Sequence, residues 1–380
     1  MNLELTEDQQ LLQKTVREFA EAEVRPLAKE NDETGHFPRE LFRKAAELGL
    51  TGVAFPEAEG GAGFDHIAYS IVIEEISRCC ASTGVILSVQ NSLFCDPIHR
   101  FGTEVQKKKF LLPFARGEKI GCYALTEPQA GSNAAALQTK ALKRGGKYIL
   151  NGTKAWITNG GVADAAIVYV NTDPAKGEKG ITAVVVEKGT RGFKVGKEEK
   201  KLGINATACS ELIFTDCEVP EENRIGNEGE GYKVALSTLD GGRIGIASQA
   251  TGIAQGAFEA ALKWSQERMA FGHPISQFQA IQFMLADMAT EIDAARLLVR
   301  KAAWKQDNGG RFSLEASTAK LFASEMATRV THKAIQIHGG YGYSREYPVE
   351  RAYRDARITE IYEGTSEIQR LVIAAWVLKS

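Results

Sequence analysis

What this chain lacks narrows it before what it contains. Its six cysteines (Cys79, Cys80, Cys95, Cys122, Cys209 and Cys217) form no CxxC pair and have no accompanying histidine spacing. That speaks against a zinc site and points to reduced, buried thiols in a cytosolic-type compartment. Neither sign of charge is in excess: 46 Lys and Arg face 48 Asp and Glu, a net charge of −2. Such a balance leaves no electrostatic footprint for nucleic acid or an anionic membrane. No apolar run approaches the roughly 18 residues that a spanning helix needs. The opening MNLELTEDQQ has neither the basic start nor the apolar core of a secretory signal. Missing too are a GxGxxG opening a βαβ unit, a GxxxxGK[ST] loop, HExxH and GxSxG. Their absence argues against a nicotinamide Rossmann domain, a P-loop NTPase, a zinc metalloprotease and an α/β-hydrolase.

What is present is ordinary globular composition, 44% hydrophobic and 25% charged, over 380 residues. That length exceeds what one core usually supports, so two or three domains are expected. The texture falls into thirds. Thr6 and Gln9 read as a capping box opening a helix with Leu12, Val16, Phe19 and Ala20 on one face. A second helix is expected from Pro38 to Gly49, and helical spacing returns over 67–90 and 103–116. No convincing strand precedes residue 120. Strand texture then appears at 165–172, 181–188 and 210–219, with Asn151-Gly152 read as a two-residue hairpin turn inside YILNGTKAWITNG. After GNEGEGYK the helical period returns over about 231–267, 278–307, 314–337 and 366–378. The expected fold is α+β and multidomain: a helical domain (1–120), a middle antiparallel β-barrel or sandwich (121–230), and a C-terminal four-helix bundle (231–380).

Four loops are dense in glycine, aromatics and hydroxyls: YALTEPQAGSN, WITNGG, ERMAFGHPISQFQAIQ and QIHGGYGYSREYPVERAYRDA. Each alone has an ordinary reading as a turn or cap. Together they supply what a planar, many-acceptor ligand requires: hydroxyls (Thr126, Ser132, Thr158), an aromatic wall (Trp156), a cation (Arg268) and close backbone approach (Gly339, Gly340). The residues alone lead as far as a large polar-aromatic cofactor, with a flavin as one possibility.

The chain resembles the acyl-CoA dehydrogenase family almost end to end. The motifs that carry the likeness are YALTEPQAGSN, NGTKAWITNGG, DGGR at 240–243, RMAFGHPISQFQAIQ, QIHGGYGYSREYPVERAYRDARI and IYEGTSEIQR, in family order. The resemblance implies FAD between the middle and C-terminal domains of a homotetramer built as a dimer of dimers. It assigns the isoalloxazine wall to the segment with Tyr123, Leu125, Thr126, Gly131 and Ser132, and to Trp156, Ile157 and Thr158. The ADP half falls to Arg268, Phe271, Gln279, Gln336, Ile337, Gly339 and Gly340, partly from a neighbouring subunit. Thr365 and Glu367 complete the flavin site, while Ser132, Asp240, Arg243, Tyr362 and Gly364 lie along the acyl-CoA thioester.

Glu363 matches the family's catalytic base. It would remove the α-proton of the thioester as the β-hydride passes to flavin N5, with its own N–H and a ribityl hydroxyl polarising the thioester oxygen. Burial on ligand binding would raise its pKa and strengthen it as a base. A plainer reading of ITEIYEGTSEIQR also stands: Gly364 as a turn residue with positive φ, and Ser366 with Gln369 as a capping box. In some branches the base sits just before the arginine of DGGR. Gly242 cannot ionise, which argues against the isovaleryl and long-chain branches, and the motifs LDGGRIG and IYEGTSE most resemble the short-chain, butyryl-type branch. Asn91 and Cys95, in ILSVQNSLFCDPIHRFG, are candidates for shaping the acyl pocket, with simple helix packing as the alternative. Electron-transfer flavoprotein is the implied partner, facing Trp156. An oxidase of the same fold, or a non-catalytic acyl-CoA-binding paralogue, remains an alternative. The compartment implied is the cytoplasm, or the mitochondrial matrix for a processed chain.

Overall fold

The computed structural model describes residues 4–379. Thr6 Oγ1 accepts from Gln9 N at 3.2 Å and Gln9 Oε1 accepts from Thr6 N at 3.1 Å, closing the expected capping box on α1 (Glu7–Phe19). The N-terminal third continues through α2 (Arg25–Thr34), α3 (Arg39–Glu47), α4 (His66–Cys79), α5 (Ala81–Ser88) and α6 (Asp96–Phe101), then the short α7 (Glu104–Gln106) and α8 (Leu112–Ala115). A π-helical stretch, Val89–Cys95, joins α5 to α6.

The middle third is one eight-stranded sheet: β1 (Gly121–Ala124), β2 (Lys140–Arg144), β3 (Lys147–Ile157), β4 (Ala165–Asn171), β5 (Ile181–Glu187), β6 (Phe193–Glu198), β7 (Ser210–Pro220) and β8 (Arg224–Ile225). Its order is β6-β7-β3-β2-β4-β5-β8, with β1 beside β4. Most pairs are antiparallel, but β1 and β2 both run parallel to β4. β4 and β5 are buried on both faces, which is why they read as unbroken apolar runs. Alternate residues go to different cores: Ile167, Tyr169 and Val185 pack with Phe94 and Phe110 of the helices, while Val168, Val184 and Val186 pack with Tyr148 and Phe214.

Asn151-Gly152 is not a hairpin turn. β3 runs straight through it, and the turn lies earlier, at Gly145 (φ 59) and Gly146 (φ 74), between β2 and β3. Both dipeptides satisfy the local demand for positive φ. Cross-strand pairing decides: Asn151 exchanges bonds with Asp216 across the sheet, and Gly152 sits at a register shift against β7.

The C-terminal third holds α9 (Gly231–Glu267), a small ribbon of β9 (Met269–Ala270) and β10 (His273–Pro274), α10 (Gln279–Asp307), α11 (Ser313–His338), α12 (Pro348–Ile358) and α13 (Ser366–Val377). The four expected helices are there, and α12 is an addition. α9, α10 and α11 share one core rich in alanine, including Ala250, Ala254, Ala295, Ala319 and Ala323. α4 lies directly on α9 at glycines: a Cβ on Gly252 would come within 2.3 Å of the Glu74 carbonyl, and one on Gly256 within 2.2 Å of the Arg78 carbonyl. The three parts meet at one clamp. Arg354 donates to Asp32 at 2.7 Å and to the Leu202 carbonyl at 3.2 Å, while Asp355 accepts from Ile204 N at 2.5 Å. Among the described residues, no helix is long and apolar enough to cross a membrane, and no cluster of metal-ligating side chains occurs.

Candidate active site

Glu363 lies in the turn between α12 and α13 with φ 53, and Gly364 follows at φ 93. A left-handed glutamate costs about 1–3 kcal/mol and persists only where its surroundings hold it. Three donors do so. Lys320 Nζ donates to the Gly364 carbonyl at 2.7 Å, and Gln369 Nε2 donates to the same oxygen at 2.9 Å and to the Glu363 carbonyl at 3.2 Å. Gln369 is thus used to fasten this turn rather than to close a capping box with Ser366. The cap on α13 is Thr365, whose side chain accepts from Ile368 N at 3.4 Å.

The Glu363 side chain points at α9. Its Oε2 is buried, has no hydrogen-bond partner, and lies 2.1 Å from where a Cβ on Gly242 would stand. Leu93 Cδ2 is 2.8 Å from the same point. Burial pushes the carboxyl up to about 8, against the opposing pull of Lys320 and Arg243. Tyr362, the neighbouring wall, donates its hydroxyl to Gln249 Oε1. Tyr69 contributes a second phenol, bonded to Ser88 Oγ at 3.0 Å, and burial raises its pKa above the usual tyrosine range.

Asp240 and Arg243 form a network on α9. Arg243 Nη1 donates to Asp240 Oδ1 at 2.7 Å and to Ser317 Oγ at 3.3 Å, and Ser313 donates to Asp240 Oδ2 at 2.5 Å. Burial lowers Arg243 from its usual value and raises Asp240. Tyr123, on β1, couples electrostatically to both Glu363 and Arg243, and so brings the sheet to this cluster.

The two segments expected along a flavin ring lie side by side: Ala155 N donates to the Thr126 carbonyl at 2.9 Å. Behind them Lys154, fully buried, bonds Glu127 at 2.7 Å and the Leu125 carbonyl at 3.1 Å. Leu125 and Ile157 are buried, Thr126 and Thr158 half-buried, and Gly131 and Ser132 exposed. Trp156, at φ 60, is 59% exposed. Thr365 is half-buried and Glu367 exposed.

Arg268 and the Gly339-Gly340 pair share a different place. With Trp264, Ile275, Ile337, His338 and Tyr341 they line an open cavity of about 510 Å³. Arg268 stands 5.3 Å from the Tyr341 ring, Gly339 has φ 61, and a Cβ on Gly339 or Gly340 would meet nothing within 4 Å. Phe271 is 94% exposed with φ 50; Gln279 and Gln336 are exposed. Arg243 and Arg268 are 25 residues apart, 24 of those steps along α9, which at 1.5 Å per residue is roughly 35 Å. In one chain, then, the Arg268 cavity lies far along α9 from the Glu363–Arg243 cluster. The donor types, the open glycine cradle and the cation fit a dinucleotide.

Asn91 does not line the pocket as a free amide. It accepts from Val53 N at 2.9 Å and donates to the Leu50 and Leu87 carbonyls, so helix packing explains it. Cys95 is wholly buried beside Phe94 and Phe114. Lys320, Gln249 and Tyr69 were not foreseen, and Gln369 was expected only as a capping residue. The one signal for Lys320 is a lysine inside the small-residue stripe Ala316, Ala319, Ala323, Met326 of α11.

Three family models match in register: the acyl-CoA dehydrogenase N-terminal domain over residues 6–118, the middle domain over 122–217 and the C-terminal domain over 229–378. The chain belongs to the acyl-CoA dehydrogenase family, a family of FAD-dependent oxidoreductases. Within it the likeness is to the short-chain branch. It is 52% identical to the short-chain specific acyl-CoA dehydrogenase of Clostridium acetobutylicum over all of both chains. It is 53% identical to the mitochondrial short-chain specific enzyme of Rattus norvegicus, over all of this chain and 92% of that one. The solved butyryl-CoA dehydrogenase of Megasphaera elsdenii superposes with a TM-score of 0.98 at 48% identity, covering both chains fully. A chain solved in work on the electron transferring flavoprotein of Acidaminococcus fermentans and flavin-based electron bifurcation superposes at 0.99 with 50% identity, again over both chains.

Proposed function

We propose that this acyl-CoA dehydrogenase converts a short-chain acyl-CoA thioester, of butyryl type, to its 2-enoyl-CoA with Glu363 as the base. The observation that carries the reading is the buried Oε2 of Glu363, with no hydrogen bond of its own. A carboxylate stripped of donors is a stronger base than one in water. The α-proton of the thioester passes to that oxygen. The Glu363 N–H, on a turn fixed by Lys320 and Gln369, serves as a donor to the thioester oxygen and so acidifies that proton. Gly242 leaves room for the carboxylate itself, and Tyr362 walls the site. When bound, FAD supplies the acceptor for the hydrogen and electron pair that leave the β-carbon. Thr126, Ser132, Trp156 and Thr158 would hold its ring with Thr365 and Glu367 at the margin; Arg268, Phe271, Gln279, Gln336, Ile337, Gly339 and Gly340 would hold its ADP half.

The ~35 Å along α9 between the Glu363–Arg243 cluster and Arg268 supports a site completed by a second copy of the chain, and with it the homotetramer. Exposed Trp156 suits docking of an electron-transfer flavoprotein, in keeping with the bifurcation-related relative. Six buried free thiols suit the reducing cytoplasm. The division at residues 120 and 230 separates the parts that carry these roles. Anaerobic titration of the yellow protein with a panel of acyl-CoA thioesters tests the reading. Bleaching is expected to be fastest with butyryl-CoA. Bleaching by none would refute the activity, and a strong preference for long or branched chains would refute the substrate class.

A further inference from the structure

We propose that Lys320 is a positioning residue for the Glu363 carboxyl, fastening the turn that carries it and placing a buried positive charge within its field. The inference rests on Glu363 being the base. Lys320 is fully buried among the alanines of α11, where a lysine without a task is costly. Its ammonium has three donors, yet the bond it makes goes to a neutral oxygen, the Gly364 carbonyl at 2.7 Å. Arg243, the other cation facing this site, is already paired with Asp240 at 2.7 Å. Lys320 therefore carries the charge not balanced by a contacting carboxylate. The groups that face it are Glu363, Glu360, Glu367 and Arg243. Those that face Glu363 are Lys320 and Arg243 together with the phenols of Tyr69, Tyr123 and Tyr362. Burial of Lys320 pulls it down to about 8, and burial of Glu363 pushes it up to about 8, so each group's charge tunes the other's proton. Since Gly364 follows Glu363 directly, the same ammonium also fixes the left-handed backbone from which the carboxylate projects.

The test uses FAD-loaded protein and two readouts. One is the pH dependence of flavin bleaching by butyryl-CoA. The other needs no substrate: the infrared carboxyl stretch of Glu363, identified by its loss in Glu363→Gln, titrated against pH. Lys320→Met removes charge and donor; Lys320→Gln keeps a donor for the Gly364 carbonyl and serves alone if the Met variant does not fold. Both variants should move the Glu363 midpoint upward by about one pH unit or more, the size expected for losing a nearby opposite charge. Lys320→Arg should return it toward the wild-type value. A midpoint unmoved in the neutral variants overturns the proposal, even if their rates fall uniformly. An infrared shift in a protein that no acyl-CoA bleaches would refute the activity and leave the Lys320 assignment standing.

Discussion

Two glutamates set a carboxyl oxygen in the interior near a lysine, and they have opposite fates. In the sheet, Glu127 accepts from Lys154 at 2.7 Å, Gln138 N at 2.6 Å, Thr139 N at 2.9 Å and Gln129 Nε2 at 2.7 Å. Those donors outweigh its desolvation, and its pKa falls below the ordinary value. In the helical site, Glu363 Oε2 finds no donor, and burial raises its carboxyl to about 8. Burial is common to both; the supply of hydrogen bonds separates a structural carboxylate from a reactive one. A proton-abstracting group has to be left hungry, and the surrounding chain bears the cost by fixing the backbone instead of the side chain.

Substitutions that break this contrast should do so in a graded way. The largest effect is expected for Glu363→Gln, which keeps the turn but ends proton abstraction. Flavin bleaching by butyryl-CoA should fall by about 10³-fold, in a protein that stays yellow, measured by anaerobic stopped-flow absorbance. Glu127→Gln acts on the other glutamate and leaves Lys154 buried without a counter-charge. A loss of about 3–5 kcal/mol in urea denaturation is expected, with earlier release of flavin fluorescence. Gly242→Ala pushes a methyl to 2.1 Å from Oε2, so the carboxylate must swing away. Bleaching should slow by about 10- to 100-fold while the melting temperature hardly changes. The smallest effect is thermodynamic. Because the folded pKa of Glu363 is raised, its contribution to stability is full at low pH and is lost as pH rises through about 8. The melting temperature of Glu363→Gln relative to wild type should therefore climb by about a few degrees between pH 5 and pH 9, followed by calorimetry.

The long helices were legible because their apolar period is uninterrupted: the reading 231–267 coincides with α9, and 366–378 overruns α13 by one residue. α12 escaped because its glycine- and tyrosine-rich approach reads as a ligand loop, although Pro348 at its start and Val349, Ala352 and Ala356 along it carry a helical signature. β6, with the sequence FKVGKE, is an edge strand with charge on both faces, too short of alternation to declare itself. The Asn-Gly error at 151–152 shows the limit of local turn chemistry when cross-strand registry competes. Glu363 was legible through its motif. Its supports were not, because Lys320 lies 44 residues from Gly364 and reaches it only once α11 folds against the final turn. Between pocket shaping and packing, the sequence leaves Asn91 open for a related reason: its partners at 50 and 53 belong to a different segment.

The junction of Asp32, Leu202, Ile204 and the Arg354-Asp355 pair bolts all three parts of the chain at a single spot. Cutting the sheet out for separate expression would strand a buried carboxyl on one fragment and an unsatisfied amide on the other. Excised pieces are a poor route to studying this enzyme, and heat should dismantle it in one concerted step.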